Sequence, residues 1–356
     1  MAIAQWIIGS LLLLVTALPF LHSDSRFVRI WDFPRAQIAF LLAVVVIAAI
    51  VQFGFARWQA LLWQGILALA FSYQLYRIYP YTPLSTVEAL RAEEGRRGDG
   101  DAVLRLLVAN VRQSNRDAAP ILQHIANLRP DLVLLVETDS WWAARLEPLR
   151  NDYPNVVAQP QDDTYGMLLF SRLPLIDPRV RFLIDEYVPS IETGVRLASG
   201  DVIDFHGVHP NPPLLHDTDE RDAELLIVGR KVRADSAPAI VAGDLNDVAW
   251  SDTTRLFQRV SGLLDPRIGR GLYSTYNANW PLLRWPLDHV FFEQSFVLLE
   301  MRRLGYIGSD HFPFYIALSY QPGASRAQAP PARETETIRR ARRAIQEGRE
   351  KAREED

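Results

Sequence analysis

The chain has 356 residues, 49% hydrophobic and 22% charged, with a formal net charge of −4 and no cysteine, which excludes a disulfide framework, a thiolate nucleophile and any cysteine-based zinc site. The charge is uneven: residues 1–100 hold 8 Arg, no Lys and 6 acidic residues, residues 101–320 hold 21 basic and 29 acidic, and residues 321–356 hold 9 basic and 7 acidic. The net-acidic middle therefore offers no overall attraction to a polyanion.

Three uncharged runs open the chain, at 2–21, 36–56 and 58–76. Each is close to the ~20 residues that cross a ~30 Å hydrocarbon core, and a spanning segment must be helical to satisfy its own backbone. Trp6, Trp31, Trp58, Tyr79 and Tyr81 sit at or near the run ends, where an interfacial aromatic belt would place them. A cleaved signal peptide is the plainer reading of the first run, but that run lacks a basic leader and a small-residue cleavage site. Residues 1–80 are expected to form a three-span membrane anchor. Arg26, Arg29 and Arg35 lie between the first two runs, and Arg77, Arg91, Arg96 and Arg97 follow the third. For three spans these fall on one side, against Arg57 on the other, so positive-inside counting favours a cytoplasmic domain by a small margin. Residues 81–100 turn polar and run into "EEGRRGDGD", the composition of a linker.

Residues 101–320 carry the alternation of a folded domain. A strand is expected at 103–111, ending near Asn110, then a helix at 117–128 with Ile121, Leu122, Ile125 and Leu128 on one face, stopped by Pro130. A second strand at 131–138 ends near Glu137. Further strands are expected at 165–172, 202–209, 237–244, 286–292 and 313–319, with a helix over 219–234. Residues 321–356 are Pro- and Ala-rich, then mixed in charge, and read as a helical or disordered tail.

The polar residues are placed with regularity. Asn110, Glu137, His209, Asp244, Asn246 and Asp288 each lie at or near one end of an apolar strand, and Asp310-His311 precede the last one. Taken singly, each has a plainer reading: Glu137 as a surface carboxylate, "GDLND" as an Asx-turn, "SDH" as a capped loop, Asp288 as part of a turn after Pro286. Taken together, they supply oxygen donors without thiolate, which suits Mg²⁺ or Mn²⁺. Such an ion stabilises charge on phosphoryl oxygens, and a histidine beside a carboxylate can act as a base. The set suits in-line hydrolysis of a phosphate ester.

The stretches "VANV", "DLVLLVET", "YGMLLFSRLPL", "GVHPNPP", "VAGDLND", "PLDHVFF" and "GSDHFPF" run in one order across 101–320, and together they resemble the endonuclease/exonuclease/phosphatase superfamily. "GDLN" and "SDHFP" are the most specific of them. The resemblance implies an α/β fold, a four-layer α/β/β/α sandwich of the DNase I-like kind, and is strongest to membrane-anchored bacterial members with three amino-terminal spans. It implies Glu137 as principal metal ligand with Asn110 and Asp310 nearby, and Asp244 and Asn246 orienting nucleophile and phosphate. It further implies His311, paired with Asp288, as base or orienter, and His209 at the developing charge. Arg112 stands where some relatives place a carboxylate, and "LDH" replaces the commoner Ile-Asp-Tyr, leaving His289 without a family role. The anchor would concentrate the site on a lipid-linked phosphate ester. A membrane-tethered nuclease acting on nucleic acid is the second reading and a non-catalytic binding module the third; no protein partner is implied.

Overall fold

The computed structural model describes residues 2–21, 23–55, 57–92, 102–213, 217–235, 237–332 and 334–355. Four helices open the chain: α1 (Ala2–Ala17), the single turn α2 (Arg26–Arg29), α3 (Arg35–Phe53) and α4 (Trp58–Ile78). Leu12, Ile38, Leu42, Val45, Trp63 and Leu67 pack α1, α3 and α4 around a small core of their own. Ile3, Leu14, Phe40, Ile47, Val51 and Leu69 point outward and stay exposed. Two helical segments, Ile3–Leu21 and Arg35–Phe53, are long and apolar enough to cross a membrane. Two of the three expected spans thus have the length and apolarity to cross a membrane, and the third does not reach that apolarity. The third run is uncharged without being apolar, because Gln59, Gln64, Ser72 and Gln74 interrupt it. Two of these turn inward: Gln64 Nε2 donates to the Ala49 and Gly54 carbonyls at 3.2 and 3.0 Å, and Gln74 Nε2 donates to Thr16 Oγ1 at 3.0 Å.

The remainder forms two facing sheets. The first contains β1 (Val103–Asn110), β2 (Leu132–Val136), β3 (Asn155–Gln159), β4 (Met167–Ser171), β10 (Phe296–Arg303) and β11 (Phe314–Tyr320), ordered β10-β11-β1-β2-β4-β3. The second contains β5 (Leu175–Phe182), β6 (Pro189–Arg196), β7 (Val202–Val208), β8 (Ala239–Asp244) and β9 (Asp288–Phe292), in chain order. Within each sheet one central pair, β1–β2 or β7–β8, is parallel and the other pairs are antiparallel. The parallel pairs send the ends of β1, β2, β7 and β8 to one edge.

Strand periodicity sorts the layers. Leu104, Leu106 and Val108 of β1, Leu134 and Val136 of β2, and Ile240 and Ala242 of β8 fill the space between the sheets. The alternate residues Leu107, Ala109, Val133 and Leu135 meet α5 (Ala119–Leu128) and α6 (Ser140–Leu146) through Ile121, Ile125 and Trp142. On the other flank Ala239 and Val241 meet α7 (Asp219–Asp235) and α8 (Asp252–Ser261) through Leu225, Val228 and Phe257. The order is helix, sheet, sheet, helix.

Both flanking segments dock on this body. Residues read as the start of a linker are packed: Ala89 is buried, Arg91 bridges Leu298, and Glu88 Oε2 accepts from the Asp265 amide at 2.7 Å. The rest of that linker, 93–100, lies outside the described residues. The charged tail forms α9 (Thr335–Glu355), with Ala341 and Ile345 buried against Leu226, Leu256 and Val260.

Candidate active site

The stretch "IVAGDLND" ends β8 and opens the site. Gly243 has φ +149, and a Cβ there would fall 1.8 Å from the Val208 carbonyl oxygen, so only glycine lets β8 run this close to β7. The next residue, Asp244, is fully buried; its Oδ1 accepts from the Asn246 amide at 3.0 Å, a short Asx-type turn. Asn246 takes φ +51, and its Nδ2 donates to the Pro210 carbonyl at 2.9 Å. Glu137, just past β2, takes φ +58. Left-handed backbone at two bulky strand-end residues is strain of the kind that accumulates at functional sites.

Side chains from both sheets meet at this edge. Asn110 Nδ2 donates to Glu137 Oε1 at 2.7 Å and to Asp244 Oδ2 at 3.0 Å, so one amide nitrogen ties the first sheet's carboxylate to the second's. The Gln113 amide donates to Glu137 Oε2 at 3.3 Å, and the exposed Arg112 gives its backbone N–H to Asn110 Oδ1 at 2.9 Å. His311 Nδ1 donates to Asp288 Oδ2 at 2.8 Å, and its Nε2 lies 3.5 Å from Asp244 Oδ2. His209 Nδ1 lies 3.2 Å from the Asp244 carbonyl oxygen; since a carbonyl only accepts, that nitrogen holds the ring proton. Asp310 and Glu137 line one cavity of about 400 Å³ together with Asn246 and His311. All eight residues singled out in the sequence thus share one end of the sandwich. A larger depression of about 690 Å³, on the far side of the loop before β9, contains none of them.

The electrostatics are one-sided. Among the described residues, no Arg or Lys lies within ion-pair distance of the Glu137, Asp244, Asp288 or Asp310 carboxylates; Asp244 and Asp288 pair only with His311. Asp288 Oδ1 is buried without a hydrogen-bond partner. Burial alone would depress the His311 pKa, but Asp244, Asp288 and Asp310 outweigh it and raise it to about 10. One imidazolium against several converging carboxylates leaves negative charge that burial penalises, and a divalent cation fits that deficit. The tightest ligand-like group is Asp244, Asp288 and His311, whose donor atoms lie within 4.8 Å of one another. It differs from the set expected to hold the ion, Glu137, Asn110 and Asp310. Because Asp288 already accepts the His311 proton, the Asp288–His311 part is a proton-holding pair; Glu137, Asn110, Asp244 and Asp310 have the oxygen donors a hard cation prefers, but among the described residues Glu137 and Asp310 belong to no comparably close group.

Several residues at the site had no signature in the sequence. His289, one residue beyond Asp288, is buried beneath the loop that follows Asp244. Its Nε2 donates to the Asp247 carbonyl at 2.8 Å, and its Nδ1 accepts from Arg267 at 2.6 Å. Asp265 in turn holds Arg267 through two hydrogen bonds at 2.8 and 2.9 Å. Burial, followed by repulsion from Arg267, holds His289 well below its ordinary pKa, so it is a neutral strut. Tyr276 stands 4.9 Å from the His311 ring, and Trp285, Ile30, Trp31, Phe33 and Pro34 line the same cavity as Glu137 and Asp310.

A sequence profile of the Endonuclease/Exonuclease/phosphatase family matches residues 107–311, more than half of the chain. The chain belongs to that family, whose members hydrolyse phosphoester bonds. No curated protein of related sequence matches it. Among solved structures it resembles zebrafish (D. rerio) TDP2 complexed with a single-strand DNA product, at TM-score 0.52 and 18% identity over 62% of this chain and 100% of that one. It resembles the human Nocturnin catalytic domain with bound sulfate, at 0.52 and 17% over 67% and 97%. A family member from Bacteroides vulgatus gives 0.51 and 19% over 62% and 99%. At these identities the likeness is one of fold.

Proposed function

We propose that this chain is a membrane-anchored, Mg²⁺- or Mn²⁺-dependent phosphoesterase acting on a membrane-proximal phosphate ester, a lipid-linked one foremost. The observation that carries the reading is the Asn110 amide tying half-buried Glu137 to buried Asp244, with His311 as the ion-pair partner of Asp244 and, among the described residues, no Arg or Lys within ion-pair distance of either carboxylate. Glu137, with Asn110, Asp244 and Asp310, would hold the cation, which when bound supplies charge stabilisation to the phosphoryl oxygens. Asp244, anchored by the Asn246 amide, orients the attacking water and accepts its proton. The water oxygen bonds to phosphorus, the bond from phosphorus to the ester oxygen breaks, and the alcohol leaves with a proton. His311, its Nδ1 proton fixed on Asp288, turns Nε2 toward Asp244 and the cavity and stabilises charge building on the phosphate. His209, with Nδ1 committed to the Asp244 carbonyl, offers Nε2 to the leaving side, and Asn246 positions the phosphate.

Hydrolysis of bis(4-nitrophenyl) phosphate by the full chain in detergent, with Mg²⁺ and with EDTA, tests the chemistry. Turnover with Mg²⁺, lost with EDTA and in Glu137→Ala, supports it; no turnover with either metal leaves only a binding module. Parallel assays on lipid extract and plasmid DNA separate the lipid-phosphate reading from the nuclease reading. A reporter fused to the C-terminus reads the side of the membrane: reporter activity in the cytoplasm supports the cytoplasmic placement, and periplasmic activity reverses it.

A further inference from the structure

The connection between α1 and α3 reaches onto the sandwich. Arg29 enters beside Asp222 at 3.2 Å and Asp247 at 3.8 Å. The Asp32 carbonyl accepts from Trp250 Nε1 at 2.6 Å, and the Asp24 carbonyl accepts from the Thr218 amide at 2.9 Å. These ties hold Ile30, Trp31, Phe33 and Pro34 against the catalytic cavity, facing Leu283, Trp285 and Leu287. The Phe33 ring meets Trp285 edge-on at 5.8 Å. The cavity lining therefore combines two characters: the polar Glu137, Asn246, Asp310 and His311, and a wall of hydrocarbon and aromatic rings that Tyr276 joins to His311 through its stack on Trp285. The apolar wall ends at Pro34, and α3, a candidate span, begins at Arg35. A chain lying in the bilayer and a phosphate lying on the carboxylates would meet along this trough.

We propose that Ile30, Trp31 and Phe33, together with Leu283 and Trp285, are specificity-determining residues that grip the hydrocarbon chain of a phosphate ester of a long-chain alcohol. This rests on the phosphoesterase reading above and adds to it that the helical unit builds part of the active site. Apolar surface removed from water at such a wall is worth most for a ligand with many methylenes. Aromatic rings also stack nucleobases, but single-strand sites pair such rings with a basic groove, and among the described residues no Arg or Lys lines this cavity.

Two esters with the same leaving group, methyl and dodecyl 4-nitrophenyl phosphate, read the trough directly in the full chain. The dodecyl ester is expected to exceed the methyl ester in kcat/KM by at least about ten-fold. Trp31→Ala and the half-exposed Leu283→Ser bring that ratio toward one, chiefly through KM, and Trp31→Phe restores most of it. A wild-type ratio near one, or variants that lower both esters equally, overturns the proposal. If neither ester is hydrolysed with Mg²⁺ or Mn²⁺, the phosphoesterase reading fails, and tryptophan fluorescence with dodecyl phosphate against inorganic phosphate decides the trough. Tighter binding of dodecyl phosphate, lost in Leu283→Ser, supports it; equal binding, or tighter binding of a short single-stranded oligonucleotide, overturns it.

Discussion

Asp244 and Asp247 lie three residues apart and meet opposite company. Asp247 is surrounded by cations: its carboxylate lies 3.5 Å from Arg221 and 3.8 Å from Arg29, and it accepts from Ser251 Oγ at 2.6 Å. Asp244 meets two amides and one histidine. Both are buried, so desolvation penalises both charges. The fold gives the carboxylate that holds a loop two guanidiniums, and gives Asp244, the proposed proton acceptor, only the His311 ring. The two clusters are joined, since Arg221 also donates to the Asn246 carbonyl at 3.0 Å and His289 holds the Asp247 carbonyl.

Exchanging the two roles breaks the comparison most sharply. Asp244→Asn is expected to lower phosphodiester hydrolysis by about 10²–10⁴-fold while changing thermal stability in EDTA little, because Asp288 still pairs with His311. A variant that unfolds instead would make Asp244 structural. Arg29→Ala does the reverse: it leaves Asp222 and Asp247 to Arg221 alone and is expected to cost about 3 kcal/mol of stability, read by denaturant unfolding. Mg²⁺ sharpens the same contrast, raising the Tm of the wild type, as any ligand of the native state must, but not that of Glu137→Gln. The smallest effect concerns Glu224 on α7, whose buried Oε1 has no partner. Burial, with Asp185 and Glu220, raises its pKa to about 8. Its unfolded form ionises near pH 4.5, so the native state loses stability as pH rises from there to about 8. Glu224→Gln should flatten that slope in thermal melts between pH 5 and 8, and an unchanged slope would contradict it.

The residues that meet at the candidate site were legible because phosphoester chemistry restricts residue type, and strands buried on both faces announce themselves as apolar runs. β1, β2 and β8 were read that way. β5 escaped because it is an edge strand with Asp177, Pro178 and Arg179 exposed and a register shift between Ile176 and Arg179. The third run falls short of the apolarity of the other two because absence of charge is not apolarity, and Gln64 and Gln74 spend their amides inside the bundle. The trough was invisible for another reason. Trp31 looks like an interfacial tryptophan, and nothing local says that its segment docks on residues more than two hundred positions later. His289 likewise gains its role only when Asp265 and Arg267 fold beneath it.

The most direct measurement is Mn²⁺ titration of the metal-free full chain followed by electron paramagnetic resonance. Saturable binding that Mg²⁺ displaces, and that Glu137→Gln and Asp244→Asn each abolish, is the predicted result. Binding that survives both substitutions, or none in the wild type, would contradict a cation seated among these carboxylates.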